Sequence, residues 1–432
     1  MKLYQWESTN LPAIKSEPYM SELTDIAPVL YYSSMPDWKY VSDWYHDLSL
    51  SKFNTDYVLK ETVANLLKGK ENLSPIEKVK LFYTYILENI SYSSVSFLHS
   101  NFIPQKASRT ITTRLGDCKD VSTLFVALCH EVGIKANLVL ISTRDNGNKT
   151  LPLPSVSFNH CIAQLNMNDR TYFLELTDNK LPFGAALTTD LKSDILPIPF
   201  EDDQVGGKLM IMDMPFRPKN VVNRVHNITI SNKDLSATRK SVYFESFASA
   251  LRDTYRIIGS DDQLKKINQA VASDFTVPIK ITDLKFTNLD NLADSLSIEY
   301  KLEIKNILQD VAGMKILNLP WSEKFSSLDV VTEETRKYPL EFWSYLPDDM
   351  NSEEINFILP AGKKFMEIPQ DIHFECENAN YHLTYNIKTP GKVIIRRTFE
   401  RKTEQVTPKQ YAAFRDFMNQ VSESDNKQYA IK

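Results

Sequence analysis

Gly116-Asp117-Cys118-Lys119-Asp120 runs directly into Val121-Ser122-Thr123-Leu124-Phe125-Val126-Ala127-Leu128-Cys129, and this stretch decides the fold. Val121, Leu124, Phe125, Leu128 and Val132 recur at helical spacing after Cys118, and Gly133 closes the run. The spacing predicts an amphipathic helix opening at Cys118, with Asp117 as its cap. A thiol at that end sits against unpaired N–H groups and the positive end of the helix dipole. Both favour the thiolate, the form that attacks. The same N–H groups are placed to bind the oxyanion of a tetrahedral intermediate formed at the sulfur.

A nucleophilic thiol needs a base. Downstream of the helix, Lys135 to Thr143, Phe158 to Leu165 and Thr171 to Leu176 are short, rich in β-branched or aromatic residues and separated by Asn/Asp/Gly turns, which reads as an antiparallel sheet. Helices first and strands after is the α+β order. His160, on the middle strand, is the candidate base; His46, His99, His130, His226, His373 and His382 lack a comparable setting. The imidazole then needs a third group on its own face of the sheet. A two-residue turn at Asn168-Asp169 would make opposed positions sum to 337, setting His160 opposite Thr177 and on the face of Glu175. A three-residue turn would present Asp178 instead, so both carboxylates stand as candidates.

Towards the N-terminus the pattern from about Trp38 to Tyr92 is helical. One start is well marked, with Ser74 at N-cap, Pro75 at N1 and Glu77 at N3 ahead of Val79, Phe82, Tyr83, Ile86 and Ile90. Residues 1 to 35 show no sustained periodicity and suit an extended arm. Beyond about residue 205 strand patterns dominate: Val225 to Ser231, Ser241 to Phe247, Leu296 to Ile304, Ile355 to Leu359, His382 to Ile387 and Lys392 to Phe399. These predict a β-sandwich, with a helical piece from Gln263 to Ala272 and a last helix starting at Thr407-Pro408.

The chain has 432 residues, long enough for two or three cores. Its composition, 42% hydrophobic and 24% charged, is that of folded globular protein. A net charge of −5 without a long Lys/Arg block offers no footprint for nucleic acid. No run approaches the roughly 18 apolar residues that span a bilayer. The first residues, Met1 to Glu7, lack the apolar stretch of a signal peptide. Cys118, Cys129, Cys161 and Cys376 show neither a Cys-x-x-Cys pair nor dense even spacing, so neither a disulfide framework nor a structural zinc site is expected. No cofactor or metal is called for. Cys129, three turns below Cys118, reads as core, and Cys161 points away from His160 by strand alternation. Asp117 and Asp120 read as caps rather than catalytic groups. A lone Cys near an apolar helix is commonly an inert buried thiol, and a lone strand His a satisfied one. Together they need the motif to count.

Gly116-Asp117-Cys118-Lys119-Asp120 before a helix, then Asn159-His160, then Phe173-Leu174-Glu175-Leu176-Thr177-Asp178, resembles the core of bacterial transglutaminase-like proteins over roughly residues 75 to 185. The resemblance implies a papain-like triad of helix-start Cys, strand His and an acidic residue. Relatives usually show Asp before a Thr, where this chain has Glu175-Leu176-Thr177. The extra methylene shifts the carboxylate by about a bond length. The flanks also resemble a known arrangement in envelope-associated bacterial proteins, with β-rich domains around the core. Trp6 to Glu17 is similar to the tail of the leading domain; Arg336-Lys337-Tyr338-Pro339 and Leu359-Pro360-Ala361-Gly362 are similar to parts of the trailing one. Taken together, the expected organisation is an arm over 1–35, a transglutaminase-like domain over 36–205, a β-sandwich over 206–405, and a C-terminal helix and tail over 406–432. The resemblance implies a cysteine-dependent hydrolase or acyltransferase, amidase- or protease-like, acting on a peptide or protein substrate at the cell envelope. The alternative from another class is a binding or scaffold protein that keeps the fold without turnover.

Overall fold

In the structure, a computed structural model, residues 3–93, 102–200, 206–292, 295–323, 325, 328–389 and 391–432 are described. After a four-residue helix, Leu23–Ile26, come three longer ones, Trp38–Leu50, Tyr57–Leu67 and Pro75–Asn89. Asp37 and Asp56 cap the first two of these by accepting Tyr40 N–H and Leu59 N–H, and Ser74 with Glu77 forms a capping box on the third. After a short helix, Ala107–Thr113, comes the helix Cys118–Glu131. A single apolar face was the expectation for it. Instead every side chain from Cys118 to Cys129 is buried, because the sheet covers one side and the helices 57–67, 75–89 and 107–113 cover the other. Lys119, Asp120 and Ser122 are therefore tied to partners rather than to water, while the Thr123 hydroxyl is buried with none among the described residues.

The sheet beside this helix has five strands in the order Arg170–Leu174, His160–Met167, Ala136–Ser142, Asp194–Pro197, Met210–Ile211, antiparallel throughout. Cys161, Ala163 and Leu165 join the helix-side core, whereas Ile162, Phe173, Val139 and Ile141 join a smaller cluster on the opposite face. That is strand alternation at work.

The β-rich part centres on an eight-stranded sheet ordered Ile279–Thr287, Ser295–Ile304, Asp234–Phe244, Val221–Ser231, Met350–Ile358, Lys392–Arg401, Ala379–Thr389, Ile372–Glu375. Its one parallel joint, between 221–231 and 350–358, knits the region before residue 310 to the region after it. A three-stranded sheet (Gln309–Val311, Met314–Asn318, Gln428–Ile431) and the helix Tyr411–Asp425 share one apolar core with the large sheet. Phe399 packs on Phe417 at 5.8 Å between ring centres, and Tyr385 and Tyr429 hydroxyls meet at 2.6 Å.

Several expected boundaries move, among them the starts of the strands Val221–Ser231 and Met350–Ile358 and of the helix Ser260–Ala272, and two have a local cause. The strand expected over Ser241 to Phe247 ends at Phe244, since Glu245 takes a left-handed φ of 52° and opens the helix Glu245–Tyr255. The last helix is regular from Tyr411, although Thr407 and Gln410 make reciprocal cap bonds one turn earlier. Trp321 and Trp343 are buried under arginines, Arg397 at 4.2 Å and Arg144 at 4.0 Å from their rings, and so form core rather than an exposed platform.

The arm is held by both halves. Met20 bridges Leu340, Ser21 donates to Glu341 at 2.5 Å, and Glu17 accepts Lys337 N–H at 2.9 Å. Asp25 meanwhile accepts Lys149 N–H at 2.8 Å. Arg144 crosses between halves, with Nη1 donating to Glu404 at 2.5 Å. Among the described residues, no helix is long and apolar enough to cross a membrane.

Candidate active site

Asp117 caps the Cys118 helix by accepting Asp120 N–H, and Asp120 Oδ2 accepts Asp117 N–H at 3.1 Å. Gln105 anchors the cap from outside, giving its backbone N–H and side-chain amide to Asp120 at 2.7 and 2.8 Å. Lys119, also buried, is paired with Asp117. Gly116 is required by space: a Cβ there would lie 2.9 Å from Asp120 Cβ and 3.2 Å from Thr110 Cγ2. The Gly-Asp-Cys-Lys-Asp motif thus builds a helix start. Its N–H groups at Cys118 and Lys119 have no carbonyl within the helix to bond.

His160 opens its strand as Cys118 opens its helix. Asn159, just before it, is stapled to the neighbouring strand end by Oδ1 accepting Thr143 N–H at 2.9 Å and Nδ2 donating to Thr143 Oγ1 at 2.7 Å. By parity His160 belongs with Ile162, on the face away from the helix. Thiol and imidazole nevertheless lie close enough for each to act on the other's charge. The contact is made at the ends of the two elements, not across their packed faces.

On its other side, His160 Nε2 lies 2.6 Å from Glu175 Oε2. The hairpin between them pairs Met167 with Arg170 and Ala163 with Leu174, so the turn holds two residues, Asn168 and Asp169. Both have left-handed φ, 53° and 59°, the geometry of a tight hairpin turn. Glu175 Oε1 accepts Thr177 N–H and Oγ1–H, each at 2.6 Å. Asp178 is turned elsewhere. Its Oδ1 accepts Lys180 N–H at 2.9 Å, and its Oδ2 takes the hydroxyl of Ser249, on the helix Glu245–Tyr255. The structure therefore brings Cys118, His160 and Glu175 together and leaves Asp178 at the junction with the β-rich half.

Burial acts against charge on both partners, yet the pair overrides it. The imidazole would be lowered by desolvation, but the Glu175 charge, the neighbouring Cys118 and the bond to Glu175 hold it well above its ordinary value. Glu175 would be raised by burial, but His160 and Thr177 hold it at about 2. With Nε2 committed to the carboxylate, Nδ1 is the nitrogen left for the sulfur.

The other histidines have different partners. His226 meets Glu353 at 2.8 Å in the β-rich core, His130 bonds Ala136 O at 2.8 Å, and His373 stacks on His382 at 4.1 Å. His99 lies outside the described residues. Cys129 is buried core, and burial raises its thiol out of the reactive range. Cys161 is buried beside Tyr45, and burial pushes its thiol well above the ordinary range. Among the described residues, no group of three or more His, Cys, Asp or Glu could hold a metal ion.

Two neighbours escaped the sequence reading. Tyr92 pairs in register with Gly116, and its hydroxyl, raised to about 12 by burial and then by the Cys118 charge, faces the thiol region. Asp190 lies buried near Glu175, far along the chain from His160, with no local motif to announce it.

Residues 60–174 match the transglutaminase-like superfamily, a span that includes Cys118 and His160 and ends one residue before Glu175. Residues 313–431 match a family described as a domain of unknown function with a solved structure, DUF3858. No curated protein matches the chain. Among solved structures, the crystal structure of a "putative protease" from Parabacteroides distasonis is similar, with a TM-score of 0.56 and 13% identity. The match covers 98% of this chain and 64% of that protein, so the chain spans less than two thirds of its length. At that identity the likeness is one of fold. A transglutaminase-like core within a mixed α+β fold, followed by a β-rich region and a C-terminal helix, describes the chain.

Proposed function

We propose that the chain is a cysteine-dependent acyl-transfer enzyme that hydrolyses peptide or carboxamide bonds, with Cys118 as nucleophile, His160 as acid and base, and Glu175 as the group that orients the ring. The observation that carries this reading is the position of His160, beside the Cys118 thiol on one side and 2.6 Å from Glu175 on the other. The Cys118 thiolate adds to the carbonyl carbon, and the helix-start N–H groups receive the oxyanion. As the C–N bond breaks, His160 gives its proton to the leaving nitrogen and a thioester remains. Water then attacks the thioester while His160 takes its proton, releasing the carboxylic acid and restoring the thiolate–imidazolium pair. We place this chemistry in a domain that starts at about 36 and runs past the expected limit of 205 to about 214, since Met210–Ile211 adds the fifth strand and Met212 and Met214 join its smaller cluster. Its apolar clusters are separate from the one that fills the β-rich part.

One observation favours the second reading, a scaffold that keeps the fold: Cys118 is only 3% exposed. The two are separated by the alkylation rate of Cys118 with iodoacetamide as a function of pH, in the parent and in His160→Ala. An enzyme thiol reacts as the thiolate well below neutrality and loses that reactivity with the histidine. A thiol titrating near the unperturbed value of about 8.5 in both proteins overturns the enzyme reading.

A further inference from the structure

Glu175 is 2% exposed, and a buried carboxylate must have its lone pairs met. Oε1 has two donors, both from Thr177, while Oε2 has His160 Nε2 and room for one more. The group that comes within hydrogen-bonding reach of Glu175 is the carboxyl of Asp190, itself 1% exposed. Asp190 Oδ1 accepts the Thr189 hydroxyl at 3.3 Å. Among the described residues no donor reaches its buried Oδ2. Two neighbouring carboxylates in a dry site cannot both carry charge. Glu175 is the charged one, because it faces His160. Asp190 must keep its proton, and that proton is the missing donor to Glu175.

The turn that presents Asp190 is clamped on several sides. Arg144 N–H donates to Thr189 O at 3.0 Å and Arg144 Nε to Thr188 O at 2.6 Å, while Ser193 Oγ donates to Thr189 O at 2.9 Å. Of the remaining guanidinium nitrogens of Arg144, Nη1 donates to Glu404, Nη2 is buried without a partner among the described residues, and the group lies over Trp343. The charged groups that Asp190 feels are therefore Glu175 and His160, and burial with the Glu175 charge raises it to about 8.

We propose that Asp190 is a positioning residue that stays protonated and donates a hydrogen bond to Glu175, so that thiol, imidazole, carboxylate and carboxylic acid form one buried chain. This rests on the proposed role of the Cys118–His160–Glu175 group. Asp190 touches neither substrate nor sulfur. It holds the Glu175 carboxylate in the plane of the imidazole and blocks the turn to any second anion. It also makes the chain sensitive to alkali: when Asp190 loses its proton, a donor becomes a repelling charge and Glu175 loses its hold.

The test compares Asp190→Asn, which keeps a neutral donor, with Asp190→Leu, which does not. Asn is expected to leave Cys118 alkylation at pH 6 within about threefold of the parent, and Leu to slow it by about tenfold or more. The parent pH profile should contain an ionisation near pH 8 that the Asn variant lacks. Two readouts do not depend on turnover. The infrared band of a protonated carboxylic acid should vanish in Asp190→Asn but survive in Glu175→Gln. The unfolding midpoint of the Asn variant relative to the parent should be higher at pH 8 than at pH 4, because only the parent must keep an acid neutral in alkali. An Asn variant as impaired as Leu, an unchanged band, or a midpoint difference independent of pH overturns the proposal. If alkylation is instead indifferent to His160→Ala, the enzyme reading fails, while the band and the midpoints still judge the Asp190–Glu175 bond.

Discussion

His160 Nε2 and Glu175 Oε2 stand 2.6 Å apart because the hairpin joining their strands closes through only two residues, Asn168 and Asp169, which pair Met167 with Arg170. One more residue in that turn would move every later side chain to the other face. In the proposed mechanism Glu175 then has two tasks, to orient the ring and to keep it charged.

Those tasks separate on substitution. Glu175→Gln keeps the shape but loses the charge, and is expected to slow substrate turnover by roughly 10²-fold or more. Removing the carboxylate also lets the imidazole titrate lower, so the alkaline limb of the rate profile moves to lower pH. Glu175→Asp keeps the charge on a shorter stem and is expected to cost about tenfold, with its limb nearly in place. Steady-state rates across pH for the three proteins check both.

Acid stability follows from the same pair. Glu175 is held at about 2 against an ordinary 4.5. A depressed carboxyl stabilises the fold above its unfolded value and loses that contribution as pH falls through its folded value. The parent should therefore lose on the order of 3 kcal/mol relative to Glu175→Gln between about pH 4.5 and 2, read by urea unfolding. His160 describes the same interaction and adds no second term. Its raised value means that its share is present at low pH and fades as pH rises through that value.

Gly116→Ala tests the helix start. The added methyl meets Asp120 Cβ at 2.9 Å, an atom fixed close to the backbone and not a flexible tip. The start of the helix must shift, carrying Cys118 with it. We expect a stability loss of about 1–3 kcal/mol and a rate loss of about tenfold, measured by thermal unfolding and Cys118 alkylation.

Arg397→Ala tests the β-rich core. Arg397 is fully buried between Glu353 and Asp425, each at 2.6 Å, and lies over Trp321 and Phe325. Truncation strands two buried carboxylates, so the expected loss is about 3–5 kcal/mol. Denaturant unfolding followed by tryptophan fluorescence reads it, and a loss below about 1 kcal/mol would contradict the buried network.

Much of the arrangement around the thiol was legible because it is written in short-range chemistry. The cap at Asp117, the helical period after Cys118, the capping box at Ser74 and the tight turn at Asn168-Asp169 each depend on neighbours a few residues away. Strand parity carried the carboxylate question to two candidates, and only the turn conformation separated Glu175 from Asp178. Glu245 shows the opposite case, where a left-handed backbone cut short a strand whose side-chain pattern continued.

By itself the sequence determined the helix starts at Pro75 and Cys118, which residue types stand at the helix mouth and strand start, and that the order is α+β. Only the tertiary structure decided that Cys118 meets His160 at the ends of their elements although parity sets the ring on the far face, that Asp190 backs Glu175, and that strands 221–231 and 350–358 fuse the β-rich part into one sheet. The physical reason is range. Periodicity, caps and turns are energies of residues near in sequence, whereas a buried proton between two carboxyls, or a parallel pairing across more than a hundred residues, exists only once the chain has excluded water from both.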